Sequence, residues 1–173
     1  TNKRYCCEIK MTKFQELPKL YCDMDQVLCD FITSANFVLG NDFTKVNNVM
    51  RWESIGSVKN FWEDLPWMPD GEKLYANIMK YDPYILSAYS ERDKNCIEGK
   101  HKWIQKNTSI PVSRVNLVKR AEKKSFAIFN GQANVLIDDY LKNTKDWEES
   151  GGIAIHHSDT KKTLKELSNL GFI

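Results

Sequence analysis

The 173-residue sequence lacks the features by which several protein classes are recognised. Its longest apolar runs, such as "NVLID" and "YILSA", are far too short to cross a bilayer. Its five cysteines form no CxxC pair, and its three histidines complete no zinc-binding spacing. The net charge is only +2 and the lysines are scattered, so there is no strong nucleic-acid signal. These absences exclude a membrane-spanning protein, a zinc module and a strongly basic nucleic-acid binder.

The start of the chain also lacks a charged segment followed by an apolar one, which would indicate a signal peptide. We therefore expect a cytoplasmic protein with reduced thiols and no membrane association. Residues 1–18 form a polar leader whose role cannot be read. Nothing in the sequence decides between a monomer and a homodimer.

Short apolar runs alternate with longer amphipathic segments along the chain. Such alternation predicts an α/β fold with a Rossmann-like parallel sheet and helices on both faces. We predict a final helix that is capped by Ser158 or Asp159 and stopped by Gly171. The predicted strands cover residues 19–23, 83–89, 114–119, 134–138 and 152–157.

One interval interrupts this alternation. Residues 31–81 contain several helical patterns and three of the five tryptophans, but no convincing strand. We interpret them as a small helical cap inserted after the first strand. Residues 19–30 and 82–173 would then form the α/β core.

Acidic residues follow two of the predicted strands. Asp23 ends the first strand and Asp25 follows two residues later, and Asp138 and Asp139 end the fourth. The carboxyl ends of parallel strands share one edge, where ligands bind. Carboxylates that converge there repel each other unless a cation joins them, and an all-oxygen set favours Mg²⁺, held mainly by Asp23 and Asp138. The alternative is a set of capping or turn aspartates.

Four segments, "DMDQVLCDF", "ILSA", "EKKSFA" and "VLIDD", resemble in order the four motifs of the haloacid dehalogenase-like (HAD) phosphohydrolases. The resemblance spans roughly residues 19–157 and is greatest to the 5'(3')-deoxyribonucleotidase-like branch, phage-type members included. The pairing of "DMDxVL" with "LIDD" is its most specific part.

The resemblance implies a role for each matching residue. Asp23 would be the nucleophile that forms an aspartyl-phosphate, and Asp25 the general acid and base. Ser87 and the backbone N–H of Ala88 would bind the phosphoryl oxygens. Asp23 and the carbonyl of Asp25 would also ligate Mg²⁺.

A lysine would stabilise the transition state, and the acidic pair would complete the metal site. The family pattern selects Lys123, with Lys124 as the alternative. Asp138 would ligate Mg²⁺ and Asp139 would support it. The alternative is that Lys123 has no catalytic role and only lies on a solvated face of a helix.

The sequence departs from the family at one position. Gln26 stands where glycine is common, which puts the geometry of the catalytic loop in doubt.

Aromatic residues of the cap resemble the segment that surrounds the substrate base in the nucleotidase branch. We predict that Phe31, Phe61 or Trp62 stacks on a base, because stacking of this kind contributes about 1–3 kcal/mol per base. The alternative is that aromatic residues only form the core of the cap, and we prefer it for Trp52 and Trp67.

The function predicted from the resemblance is Mg²⁺-dependent hydrolysis of a phosphomonoester, a small-molecule nucleoside monophosphate. The chain would then be a HAD-type phosphatase, a 5'(3')-(deoxy)ribonucleotidase. Alternatives are a phosphatase of polynucleotide ends or of a small non-nucleotide phosphate, transfer to an acceptor other than water, and a non-catalytic nucleotide-binding module.

Overall fold

A computed structural model describes residues 17–172 of the chain. Five parallel strands form its main sheet, in the order β3-β2-β1-β6-β7. Most of the predicted leader lies outside the described residues. The main strands are β1 (Leu20–Cys22), β2 (Tyr84–Ala88), β3 (Val115–Val118), β6 (Val135–Asp138) and β7 (Ile153–His156).

The central strands are the most buried ones. All residues of β1 and β6 are buried, whereas the edge strand β7 has exposed positions. Strands covered by helices on both faces need continuous apolar runs, and this is why "KLYCD" and "NVLID" could be recognised as strands. All five predicted strands are present, each shortened by one or two residues, and the α/β fold class is confirmed.

The helices begin and end at recognisable signals. In α1 the Asp30 side chain accepts a hydrogen bond from Thr33 N, and in α6 Asp159, not Ser158, caps the helix. Among residues 17–172 no helix is long and apolar enough to cross a membrane. The α-helices are α1 (Phe31–Leu39), α2 (Asn48–Ser57), α3 (Gly71–Ile78), α4 (Cys96–Asn107), α5 (Leu141–Glu149) and α6 (Thr160–Asn169). Three short 3₁₀ helices are Met79–Tyr81, Val112–Arg114 and Arg120–Phe126.

The helical insertion follows β1, as predicted, but its two halves have different surroundings. Helices α1 and α2 pack against each other. The later half contacts the α/β core through buried groups: Trp103 of α4 donates a hydrogen bond to Leu65 O (2.7 Å), and its ring lies 4.8 Å from that of Trp67. The boundary at residue 81 stays a prediction.

A small hairpin, β4 (Ile128–Phe129) with β5 (Gln132–Ala133), was not predicted. Its two turn residues, Asn130 and Gly131, both have positive φ, at 49° and 76°. An Asn-Gly pair is the usual signal for a tight hairpin turn. The signal is therefore in the sequence, but the flanking runs are too short to indicate strands.

Candidate active site

The carboxyl ends of β1, β2 and β6 bring the predicted acidic residues together. Asp23 directly follows β1, and its backbone N–H donates to Ile137 O of β6 (2.9 Å). Asp138 is the last residue of the neighbouring strand and is fully buried. The site therefore lies at the centre of the sheet, where three parallel strands end side by side.

Lys123 lies between two of these carboxylates. Its Nζ is 2.8 Å from Asp23 Oδ2 and 2.7 Å from Asp138 Oδ2, and the residue is only 2% exposed. The 3₁₀ helix Arg120–Phe126 places Lys123 inward and leaves Lys124 exposed. Of the two candidates, the structure brings Lys123 to the cluster and leaves Lys124 outside it.

The lysines set the charge state of Asp23. Burial alone raises the pKa of this carboxyl, but the positive charges of Lys123 and Lys100 outweigh burial and hold it below its usual range. Burial likewise lowers the pKa of Lys123, and the adjacent Asp23 and Asp138 reverse this and raise it. Asp23 is thus an ionised carboxylate, the form that a nucleophile needs.

Asp25 is held by a lysine that the sequence did not reveal. Lys100 of α4 is completely buried, and its Nζ donates to Asp25 Oδ2 (2.7 Å), Ala88 O (2.8 Å) and Ser87 Oγ (3.0 Å). Burial lowers the pKa of Lys100, but the negative charge of Asp25 outweighs it and raises the pKa above the ordinary value. Lys100 therefore keeps its charge and fixes the orientation of Asp25.

A weak sequence signal for Lys100 exists. It falls four residues after Cys96 and three before Trp103, on the apolar side of α4. A lysine on such a face is buried only when it has partners. The preceding Gly99 allows close contact with the cap, since a Cβ there would lie 2.5 Å from Cβ of Trp62.

Asp138 and Asp139 share the cluster but differ in their partners. The Asp138 carboxylate accepts hydrogen bonds from Lys123, from Asn143 Nδ2 (3.0 and 3.1 Å) and from Tyr140 N (2.9 Å). Among residues 17–172 no side chain donates a hydrogen bond to the Asp139 carboxylate. Burial, together with the charges of Asp23 and Asp138, raises the pKa of Asp139 to about 7.

These acids fit a metal ion. One oxygen from each of Asp23, Asp138 and Asp139 can be chosen so that all lie within 4.8 Å of one another. The donor set is all oxygen, which suits a hard divalent cation such as Mg²⁺. Asp139 is the carboxylate without a positive partner, and a cation would supply the charge that it lacks.

Gln26 accommodates the position where glycine is common. Its backbone has φ of +58°, in the left-handed region that favours glycine. Its side chain compensates, since Oε1 accepts a hydrogen bond from Ile32 N (2.9 Å) in the first turn of α1. The loop therefore keeps the tight turn, and the glutamine joins it to the cap.

Above the carboxylates lies a cavity of about 480 Å³. It is lined by Asp23, Asp25, Ala88, Lys123 and Asp139, and on the cap side by four aromatic residues, Phe31, Phe43, Trp52 and Trp62, here called the aromatic wall. The Phe31 and Trp62 rings lie 5.2 Å apart and nearly parallel, at 14°.

One aromatic residue lies elsewhere than the sequence suggested, and another has two surroundings. Phe61 is buried and packs edge-on against Phe31 (5.9 Å) and Trp62 (5.4 Å) rather than lining the cavity. Trp52, which was assigned to the core of the cap, packs against that core and also lines the cavity. Ser87 is also completely buried, and its hydroxyl contacts both Lys100 Nζ (3.0 Å) and the Asp23 carboxylate. The binding roles of Phe31, Trp62 and Ser87 stay predictions.

The adjacent histidines make structural contacts. His157 is buried, and its Nδ1 lies 2.8 Å from Thr163 Oγ1, while His156 Nε2 contacts Asp139 O at 2.8 Å. Burial lowers the pKa of His157.

Comparison with known proteins supports the fold. No family model matches the sequence, and no curated protein matches it. Among solved structures, a hydrolase from Streptococcus pneumoniae TIGR4 is similar over 88% of this chain and 98% of that chain, with a TM-score of 0.51 and 12% sequence identity. At this identity the similarity shows the fold alone, an α/β fold with a parallel sheet, and it shows no family, branch or substrate.

Proposed function

We propose that this protein is a Mg²⁺-dependent phosphomonoesterase that works through an aspartyl-phosphate at Asp23, with a nucleoside monophosphate as substrate. The proposal depends on one observation above all: two buried lysines, Lys123 and Lys100, hold Asp23 and Asp25 at the floor of a cavity with an aromatic wall.

In the first step an Asp23 oxygen attacks phosphorus, and the bond from phosphorus to the ester oxygen breaks. Asp23 Oδ1 already accepts a hydrogen bond from Met24 N (2.7 Å), so the carboxylate is oriented before substrate binds. Lys123 is adjacent to the charge that spreads over the phosphoryl oxygens, and a fixed cation there lowers the barrier. Ala88 lines the same cavity, where its N–H would bind a phosphoryl oxygen, and the Ser87 hydroxyl would assist.

Asp25 transfers the protons. When the phosphate binds, Asp25 takes up a proton from solvent and gives it to the departing alcohol. It then removes a proton from the water that attacks the aspartyl-phosphate and releases it to solvent with the product, so the carboxylate returns to its starting state. Lys100 does not contact substrate in this scheme. It acts through Asp25 as a positioning residue, because it binds one carboxylate oxygen and is itself fixed by Ser87 and Ala88.

Asp23, the carbonyl of Asp25 and Asp139 would hold the magnesium ion, with Asp138 adjacent. When bound, the ion would reduce the repulsion between the phosphate and the carboxylates. This revises the division of roles expected from the resemblance, in which Asp138 was the ligand. Asp138 is already bound by Lys123, Asn143 and Tyr140 N, whereas no side chain among residues 17–172 donates to the Asp139 carboxylate.

The test is phosphate release from a panel of nucleotides and sugar phosphates, with Asp23→Asn as the inactive reference. The amide is nearly isosteric but not nucleophilic, so the folded variant should lose turnover. Mass spectrometry of acid-quenched wild-type enzyme should find one phosphoryl group on the peptide that contains Asp23. Full activity of Asp23→Asn, or of wild type in excess chelator, would exclude this mechanism.

A second candidate, a phosphatase of polynucleotide ends, is favoured by one feature of the cavity mouth. Arg120 lies over the ring of Tyr140 at 4.4 Å, and both exposed residues line the cavity. Such a pair could contact a neighbouring nucleotide. Preference for a phosphorylated oligonucleotide over the mononucleotide, lost as salt rises, would support it.

A further inference from the structure

Arg51 of α2 occupies a built position on the cavity wall. Its Nε and Nη2 donate to Asn48 Oδ1 (3.2 and 3.0 Å), and its Nη1 donates to Phe43 O (3.2 Å). The guanidinium also lies over the Phe43 ring, 4.3 Å from its centroid. The same Asn48 oxygen accepts from Trp52 Nε1 (3.1 Å), so one amide orients both cavity-lining neighbours.

The guanidinium keeps two unused donors. It has five N–H groups, and the three hydrogen bonds leave one on each terminal nitrogen. No carboxylate within residues 17–172 forms an ion pair with Arg51, in contrast to Arg114, which pairs with Asp82 at 2.6 Å. A guanidinium that is fixed by neutral acceptors beside a cavity can donate its remaining hydrogen bonds to a ligand.

A series of neighbouring rings of the aromatic wall connects the groups around Asp25 to this pair of donors. Lys100, which binds Asp25, lies 5.2 Å from the centroid of Trp62. The Trp62 ring is followed by Trp52 at 6.3 Å. The Phe43 ring, over which the Arg51 guanidinium lies, is 5.5 Å from the Trp52 ring. The series therefore runs from Asp25, the acid for the leaving group, along aromatic faces to the guanidinium of Arg51. A nucleotide has its phosphate, sugar and base in a corresponding order.

Two parts of a nucleotide are usual partners for a pair of guanidinium donors. A second phosphate is one, but the Arg51 guanidinium lies over the Phe43 ring and shares Asn48 with Trp52, and these flat apolar faces favour a base over a charged phosphate. The other is the purine edge with O6 and N7, the usual partner of a bidentate arginine. Adenine has an amino donor at position 6 in place of the O6 acceptor, so its edge cannot accept both hydrogen bonds.

We infer that Arg51, held by Asn48, reads the O6/N7 edge of a 6-oxopurine, so that the preferred substrates are guanine and hypoxanthine nucleotides. This inference rests on the proposed nucleotidase function and adds a base preference to it. It follows from the two donors that remain on a clamped guanidinium next to flat aromatic faces.

The experiment measures binding and turnover separately. Calorimetry with the Asp23→Asn variant compares GMP, IMP, AMP and 7-deaza-GMP, and kcat/KM values for the same nucleotides are measured with wild type. A good bidentate contact discriminates by about 5- to 150-fold, so GMP and IMP should bind more tightly than AMP by a factor in that range. Removal of N7 in 7-deaza-GMP should lose a part of this preference.

Arg51→Gln and Arg51→Lys, made in the Asp23→Asn background, should bring the GMP-to-AMP affinity ratio close to one, because neither has the planar pair of donors. Arg114→Gln is the matched control, since Arg114 precedes β3 at the opposite end of the sheet, and it should keep the ratio.

Equal binding of GMP and AMP by the parent, or an unchanged ratio in Arg51→Gln, would overturn the inference. The same holds if bis-phosphorylated nucleotides gain more from Arg51 than 6-oxopurines do. Failure of the wild-type enzyme to release phosphate would instead refute the proposed function, and the binding comparison would still decide the role of Arg51.

Discussion

Replacing Lys100 by methionine should impair the acid–base role of Asp25 while leaving the nucleophile in place. Methionine keeps much of the aliphatic volume of lysine, so α4 should still pack against the cap. The change removes three hydrogen bonds at once, to Asp25, Ser87 and Ala88. Asp25 then loses its only charged partner among residues 17–172.

The size of the effect follows from the role of the lost contact. A positioned general acid contributes about 10²- to 10⁴-fold to rate, and a misoriented one loses much of this. We expect kcat/KM for a nucleoside monophosphate to fall by about 10²-fold or more. Removing one partner of a fully buried ion pair costs about 3–5 kcal/mol of stability. The Asp25 side chain is 27% exposed, so water screens the remaining charge and we expect about 1–3 kcal/mol.

The assay compares leaving groups. A nucleoside alcohol must be protonated as it departs, whereas p-nitrophenolate is stable without a proton. Lys100→Met should therefore lose much more kcat/KM with the nucleotide than with p-nitrophenyl phosphate. The ratio kcat/KM is the suitable quantity because it reports the steps up to departure of the alcohol and not the later hydrolysis of the aspartyl-phosphate.

Two results would refute this reasoning. If both substrates lose kcat/KM in the same proportion, Lys100 supports the whole site rather than Asp25. If the nucleotide is hydrolysed as before by a folded variant, the contact between Lys100 and Asp25 has no part in catalysis. Urea unfolding of the variant separates either result from simple loss of structure.

Lys123→Ala should lower kcat by about 10²- to 10³-fold, like loss of another preorganised donor, whereas the exposed Lys124→Ala should change it less than a few-fold; steady-state kinetics that give the reverse order would contradict the assignment. Gln26→Gly relieves left-handed strain of about 1–2 kcal/mol but loses the hydrogen bond to Ile32, worth about 0.5–1.5 kcal/mol. The free energy of unfolding should thus change by less than about 1.5 kcal/mol in urea titrations, and a larger loss would mean that the side chain does more than cap α1. Burial lowers the pKa of folded His157, so its stabilising contribution is complete above the unfolded-state value of about 6.5 and declines as pH falls below it. The free energy of unfolding, measured in urea, should be lower at pH 5 than at pH 7, and this difference should be smaller in His157→Gln. Equal differences in wild type and variant would exclude His157 as the source of the decline.

Much of the fold could be predicted from the sequence because its signals are local. The five main strands appear as short apolar runs, and the positions of Asp23 and Asp138 follow directly from the ends of two of them. Lys123 could be selected because a family motif fixes its spacing. The order of the strands could not be predicted, since it depends on crossovers and not on any one segment.

The missed residues depend on tertiary contacts. Lys100 looks like one of several charges in "ERDKNCIEGKHKWIQKN", and only the approach of α4 to the catalytic loop gives it partners. The burial of Phe61 and the exposure of Trp52 to the cavity could not be predicted for the same reason, because the side of the cap that faces the cavity is decided by how α1 and α2 pack. Arg51 gave no sequence signal at all.

The central position of β1 has a consequence for biosynthesis. One neighbour, β2, follows an insertion of about sixty residues, and the other, β6, begins more than a hundred residues after β1 ends. At about 5–20 residues per second, a ribosome needs roughly 6 to 20 s to make that second interval. During this time β1 exposes unpaired backbone and apolar side chains, which is the condition in which nascent chains aggregate or recruit chaperones. Among the described strands, the one that precedes Asp23 is thus made first, and it gains its second neighbour only when β6 has been made.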